Sequence, residues 1–144
     1  METLIKIHSN LFKFVLVAIG ILLCNPDGWM EDVAVGLVSL WGLFAVYHIV
    51  TSLTDLLNLR KFIKYSDQLP DLNWGEIKEG LVGFKENLDF SVVLFTYLTC
   101  YALITSGHTT LGAIYFVIQT VHLILVYSLL ESKKQVQIMA NIKG

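Results

Sequence analysis

Two histidines that interrupt long apolar stretches are the residues of this chain best suited to chemistry. His48 and His122 stand in different stretches, among mostly aliphatic and aromatic residues. Imidazole donates and accepts hydrogen bonds, exchanges protons near neutral pH and binds haem iron. Other polar residues stand in the same stretches or at their edges, and together they form a predicted polar zone. Its members are Lys13, His48, Ser52, Asp55, Gln119 and His122.

Helical spacing aligns these polar residues on narrow stripes. One stripe carries Lys6, Lys13, Val17, Gly20 and Cys24, a second carries Ala34, Trp41, Ala45, His48, Ser52 and Asp55, and a third carries Gly112, Tyr115, Gln119 and His122. A polar group in hydrocarbon is costly unless it faces protein or water. We therefore expect the three stripes to face one shared interior.

The apolar stretches themselves predict four membrane-spanning helices. Hydrophobic residues make up 55% of the chain and charged residues 15%, which departs from the balance of a soluble domain. Because about 20 apolar residues cross a bilayer, the sequence predicts an all-α, polytopic membrane protein, a single domain of two antiparallel hairpins. The predicted spans are residues 4–24, 33–59, 90–106 and 109–130. The first span is expected to be retained, since Leu22, Leu23 and Cys24 are not the small residues that signal cleavage requires.

An amphipathic helix is predicted between the second and third spans, over about residues 73–88. Its apolar positions recur at spacings of three and four, and Asp71 or Asn73 is expected to cap its start. The apolar positions are Trp74, Ile77, Leu81, Phe84 and Leu88. This stripe needs a surface, which is either the protein's own helices or a partner protein.

The distribution of basic residues predicts the orientation in the membrane. All ten Lys and Arg residues lie in the first segment, the central connection or the C-terminal tail, while Asp27, Glu31 and Asp32 all lie in the first of the two other loops. Cytoplasmic loops retain basic residues, so both termini and the central connection are predicted to be cytoplasmic. This topology suits a bacterial inner membrane, with a eukaryotic membrane as the alternative.

The helical rise places most of the polar zone at one depth. Counted from the outer ends of the spans, Gln119 lies about 15 Å deep, Lys13 about 16 Å, His122 about 20 Å and His48 about 22 Å. Asp55, about 33 Å in, would lie at the cytoplasmic edge. Two plainer interpretations stay open: the histidines are neutral interhelical hydrogen-bonding groups, and Lys13 extends to the interface by snorkelling.

Several classes of function find no support in the residues. The sequence has no Gly-rich phosphate loop, no HExxH motif and no nucleophile elbow. Cys24 and Cys100 lack CxxC spacing, and a net charge of −2 without a basic patch disfavours nucleic acid. The small multidrug transporters require an acidic residue in the first span, which is absent here. The chain is therefore predicted not to be an enzyme.

Three hypotheses follow. The first is a non-enzymatic membrane subunit without a cofactor, which self-assembles and couples to a cytoplasmic or membrane partner as a sensor or anchor through its cytoplasmic loop and tail. The second is a small oligomeric ion or proton channel or transporter that uses Lys13, His48, Gln119 and His122. The third is an electron carrier whose haem is bound by His48 and His122.

Overall fold

The computed structural model describes residues 2–24, 27–69, 71–81 and 90–143, and within these ranges the chain is helical and has no strand. The all-α prediction is confirmed. The helices are α1 (Glu2–Leu23), α2 (Trp29–Tyr65), α3 (Trp74–Gly80), α4 (Phe90–Thr105) and α5 (Thr109–Lys143), with a 3-10 turn at Ser66–Gln68.

The helices form two compact units. The first unit comprises Met1–His48 and Phe90–His122, and the second comprises Ile49–Asp89 and Leu123–Gly144. The boundary between the units falls within α2 and within α5, so each of these helices contributes to both units.

Helices α2 and α5 run side by side in the same direction within the first unit. Three contacts, taken from the starts of the helices onward, join Glu31 to His108, Gly42 to Tyr115 and His48 to His122. Residue numbers rise together along both helices, so the helices are parallel. Two parallel helices require a segment that returns between them, and α4 runs antiparallel to α5 just before it.

The turn between α4 and α5 is a Schellman motif. The His108 N–H donates to the Leu103 carbonyl at 2.9 Å and the Gly107 N–H donates to the Ile104 carbonyl at 3.2 Å. Gly107 has φ +91°, the left-handed conformation that glycine adopts without strain. The turn makes α4 and α5 an antiparallel hairpin. The two helices approach closely, because a Cβ atom on Gly112 would lie 2.7 Å from Ile104 Cγ1.

The first unit packs around one apolar cluster to which all four of its helices contribute. Its buried members are Leu11, Val15, Ala18, Ile19, Leu22, Ala34, Val38, Cys100, Ala102, Leu103 and Tyr115. Beside them the rings of Phe12, Trp41 and Phe95 form a triad with centroids 4.8 to 6.0 Å apart. This triad joins α1, α2 and α4.

Two of the described helices are long and apolar enough to cross a membrane. An apolar window of 18 residues with a mean hydropathy of 2.0 lies within each of two segments, Trp29–Gln68 and Thr109–Lys143. The apolar parts of α1 and α4, Asn10–Leu23 and Val93–Thr105, are shorter. Only 22% of the first window and 11% of the second is buried within the protein, whereas a core helix of a soluble protein is mostly buried.

Both long helices extend beyond the predicted spans. Helix α2 continues to Tyr65 instead of ending at residue 59, and α5 continues to Lys143 instead of residue 130. The segment 131–143 has no Gly or Pro, and it contains three Lys and two Gln residues, which favour helix, so nothing breaks the helix there. Hydropathy thus located the apolar part of each helix but not its end.

In the second unit, α3 is docked on other parts of the chain. Asn73 caps the helix, as predicted, because its side chain accepts a hydrogen bond from the Glu76 N–H at 3.4 Å. The Trp74 ring lies edge-on to Phe62 with 6.0 Å between centroids. Lys143 Nζ lies 5.2 Å from the centre of the same ring. The indole therefore packs between the end of α2 and the end of α5.

Candidate functional site

The structure brings His48 and His122 together in the first unit. Their ring centroids are 6.0 Å apart and the ring planes differ by 23°, which is a stacked arrangement. Both residues are half-buried, and the Tyr47 ring lies 5.7 Å from His48 on the same helix. Helices α2 and α5 position the pair, because their parallel packing matches residue 48 with residue 122.

One helical turn before His122, the polar residues are more deeply buried. Gln119 and Tyr115 are each 3% exposed, and Gln119 and Thr99 lie within interaction distance of the Tyr115 hydroxyl. The Thr99 hydroxyl itself donates to the Phe95 carbonyl at 2.9 Å. This gives the interior of the first unit a polar cluster between α4 and α5.

Three polar atoms of this region make no hydrogen bond of acceptable geometry with any described residue. They are Tyr115 Oη, Gln119 Nε2 and Thr120 Oγ1. A buried polar group without a partner costs about 1 to 3 kcal/mol. Such groups are unusual in a structural core and common at sites that hold water or a polar ligand.

Lys13 does not join this cluster, and the described side chains of the predicted stripe on α1 do not face the interior, while the Lys6 side chain lies outside those that the structure describes. Lys13, Val17, Gly20 and Cys24 are all exposed. The buried face of α1 instead carries its aliphatic residues, such as Leu11 and Val15. Lys13 is two residues from each of these, which places it about 200° around the helix. Its exposure is compatible with the snorkelling interpretation.

Ser52 and Asp55 belong to the second unit. Ser52 is half-buried and Asp55 is exposed. The predicted polar zone is therefore divided: His48, Gln119 and His122 lie in the first unit, and the other two α2 residues do not share it.

The residues of the predicted interface helix lie in the second unit. Trp74, Ile77 and Leu81 are half-buried, and Trp74 contacts the protein's own side chains as described above. Phe84 and Leu88 lie outside the described residues.

Sequence reasoning missed one polar contact of the first unit. His108 Nε2 lies 2.6 Å from Glu31 Oε1, and the two side chains are 34% and 27% exposed. Nε2–H donates to the carboxylate, and the pair is ionic only when the imidazole is protonated. The predicted topology places an acidic residue and a histidine on the same side of the bundle, but it does not pair them, because the two residues are 77 positions apart and their contact depends on the register of α2 against α5.

The chemistry available to the polar cluster is hydrogen bonding and proton exchange. No group of three His, Cys, Asp or Glu side chains suited to a metal ion occurs in the described part of the chain. Two imidazoles with a buried amide and a buried phenol can orient water and pass protons. His48 and His122 are also the residues that would bind haem iron, since they come from different helices.

No protein-family model, no curated protein and no solved structure matches this chain significantly.

Proposed function

We propose that this protein is a non-enzymatic integral membrane subunit with four membrane-spanning helices and both termini in the cytoplasm. The observation that carries the proposal is the exposure of the apolar windows of α2 and α5, of which only 22% and 11% is buried. Burial of apolar surface contributes about 25 cal/mol per Å², so surfaces of this extent require an apolar environment. A bilayer supplies it.

The parallel packing of α2 and α5 supports a third and fourth crossing. If both helices cross in the same direction, the chain must return through the bilayer between them, and α4 is the segment available. Helix α1 similarly returns the chain to the start of α2. The outer faces of α1 and α4 carry exposed apolar side chains, for example Phe14 and Ile104 at 59% and 45% exposure. These faces suit lipid as well.

The lengths of α2 and α5 support cytoplasmic extensions. Helices of 37 and 35 residues are about 55 and 52 Å long, against a hydrocarbon core of about 30 Å. The ends that must protrude carry Arg60, Lys61 and Lys64 on α2 and Lys133 and Lys134 on α5. Basic residues are retained in the cytoplasm, which supports this orientation and suits a bacterial inner membrane.

The proposed role is that of an anchor or sensor that self-assembles and binds a partner through the second unit. Because Trp74 packs against Phe62 and Lys143, the charged side of α3 faces outward, and Glu76, Lys78 and Glu79 are exposed. A docked helix that presents charges is suited to a charged partner surface.

Affinity purification of the full chain from native membranes tests this role. A stoichiometric partner that is lost from the Glu76→Lys/Glu79→Lys variant, but retained by a matched variant with Asp27→Lys and Asp32→Lys in the other unit, supports the proposal. Recovery of the same proteins with both variants contradicts it.

The His48 and His122 pair favours a second candidate, a proton or ion pathway in an oligomer. The stacked imidazoles lie one helical turn along α5 from Gln119, whose buried amide nitrogen has no partner among the described residues, and polar groups within a membrane segment are typical of ion or proton pathways. Proton flux into proteoliposomes that is abolished by His48→Gln or His122→Asn, and retained by His108→Gln, would favour this candidate. A Soret absorption band lost from the same two variants would instead identify a haem protein.

A further inference from the structure

The second unit contains a cleft that the proposed function does not use. It has a volume of about 290 Å³ and lies between the C-terminal parts of α2 and α5. Its lining residues are Arg60, Ile63, Lys64, Tyr127, Ser128, Glu131, Ser132 and Gln135. A space of this size accommodates several water molecules or one small polar group.

No described residue of the protein neutralises the cations of the cleft. The Arg60 guanidinium makes no hydrogen bond or ion pair with any described residue, although the Glu131 carboxylate lines the same cleft. Lys64 Nζ lies 5.3 Å from the centre of the Tyr65 ring and has no acidic partner among the described residues. Two cations one helical turn apart on α2 thus face a cleft that contains a single carboxylate.

The opposite wall supplies neutral donors. The Ser132 hydroxyl is committed to its own helix, since it donates to the Ser128 carbonyl at 2.9 Å. The Ser128 hydroxyl makes no hydrogen bond with a described residue, and Gln135 is exposed on the same wall. A guanidinium, an ammonium, a hydroxyl and an amide around one cleft are the donors that bind a phosphate group.

We propose that this cleft binds a phosphate group, with Arg60 and Lys64 supplying the positive charge and Ser128 a neutral hydrogen bond. The group is either the headgroup of an anionic phospholipid or a free phosphate. The lipid source rests on the proposed membrane insertion, because basic clefts at the cytoplasmic ends of membrane helices contact lipid headgroups. Binding of free phosphate does not depend on membrane insertion.

The test uses the full chain in a neutral detergent and two probes. Inorganic phosphate and a short-chain phosphatidylglycerol are titrated separately, with short-chain phosphatidylcholine as the zwitterionic reference, and binding is followed by native mass spectrometry. We expect the Arg60→Gln/Lys64→Gln variant to bind at least about tenfold more weakly than the natural protein, the equivalent of about 1.4 kcal/mol.

A matched control removes two positive charges elsewhere in the second unit. Lys61→Gln/Lys78→Gln changes the net charge equally at exposed positions that do not line the cleft, and it is expected to bind like the natural protein. Glu131→Gln is expected to bind severalfold more tightly, because it removes the one carboxylate that repels the ligand. A gain of affinity cannot arise from misfolding, so Glu131→Gln still tests the proposal if the double variant is unstable.

The outcomes distinguish a phospholipid headgroup from free phosphate as the ligand. Cleft-dependent binding of phosphatidylglycerol alone assigns a lipid headgroup site, and cleft-dependent binding of inorganic phosphate assigns a site for free phosphate. Binding of neither probe, or an equal loss with both double variants, overturns the proposal. Resistance of the protein to extraction from membranes by alkaline carbonate, measured in parallel, shows whether the membrane proposal fails as well.

Discussion

His108 Nε2 lies 2.6 Å from Glu31 Oε1, which joins the turn before α5 to the first turn of α2. The contact places the starts of two long apolar helices at the same end of the first unit. Because the two helices start at the same end and pack side by side, they run parallel. The chain must therefore return between them, and α4 is the segment that does so.

This pair should contribute a small, measurable coupling to stability. Both side chains are partly exposed, and such pairs contribute about 0.2 to 1 kcal/mol. We expect a double-mutant cycle of Glu31→Gln and His108→Gln, measured by unfolding in detergent, to give a coupling of this size. The cycle of Asp32→Gln and His108→Gln is the control, since Asp32 has no such contact, and equal coupling in both cycles would rule out the specific pair.

The contact between α4 and α5 should tolerate no side chain at Gly112. A Cβ atom there would lie 2.7 Å from Ile104 Cγ1 and 3.4 Å from the Cys100 carbonyl oxygen. We expect Gly112→Ala to lower the free energy of unfolding by about 1 to 3 kcal/mol through overpacking. Gly36→Ala, where nothing lies within 4 Å, should be neutral or slightly stabilising, and an equal loss at both positions would disprove the close approach.

The unpaired amide of Gln119 predicts an unusual response to substitution. Because Gln119 is 3% exposed and its Nε2 has no described partner, Gln119→Leu should leave thermal stability unchanged or raise it by about 1 kcal/mol. Gln119→Glu has nearly the same size but buries a charge, so it should be strongly destabilising. A loss of more than 1 kcal/mol for Gln119→Leu would show that the amide is held by a bound water or ligand.

Docking of α3 should depend on Trp74. Its ring contacts Phe62 and the Lys143 ammonium, and aromatic and cation–π contacts contribute about 0.5 to 1.5 kcal/mol each. We expect Trp74→Ala to accelerate trypsin cleavage after Lys78 severalfold in inside-out vesicles. Trp29→Ala, at a position 74% exposed in the other unit, should leave the cleavage rate unchanged. If Trp74→Ala leaves the rate unchanged as well, α3 is held by other contacts.

The sequence predicted the helical class and the starts of the α4 and α5 hairpin closely, because apolar runs and the Gly107 turn are local signals. It missed the end of α5, since hydropathy reports which residues suit lipid and not where a helix stops. It also misplaced Lys13, because helical phase identifies a shared stripe but only tertiary packing decides which stripe is buried. Leu11 and other aliphatic residues occupy the buried face of α1 instead.

The histidine pair shows the opposite case. Depth and helical phase together predict that His48 and His122 point into one interior, and parallel packing of α2 and α5 places their rings 6.0 Å apart. The partner of His108 escaped prediction because a contact between residues 77 positions apart leaves no periodic signal. It requires the relative register of two helices, which composition and spacing do not contain.

The four-span topology is tested most directly by introducing exposed cysteines one at a time and labelling them with a membrane-impermeant maleimide. Exposed Cys24 is replaced by Ser, buried Cys100 is kept, and cysteines are introduced as Asp27→Cys, Gln68→Cys, Thr110→Cys or Asn141→Cys, all at exposed positions. We predict that Asp27→Cys and Thr110→Cys react in intact cells, while Gln68→Cys and Asn141→Cys react only after permeabilisation. If Thr110→Cys instead reacts only after permeabilisation, as Gln68→Cys does, then α4 does not cross the membrane. That result would contradict the four-span account.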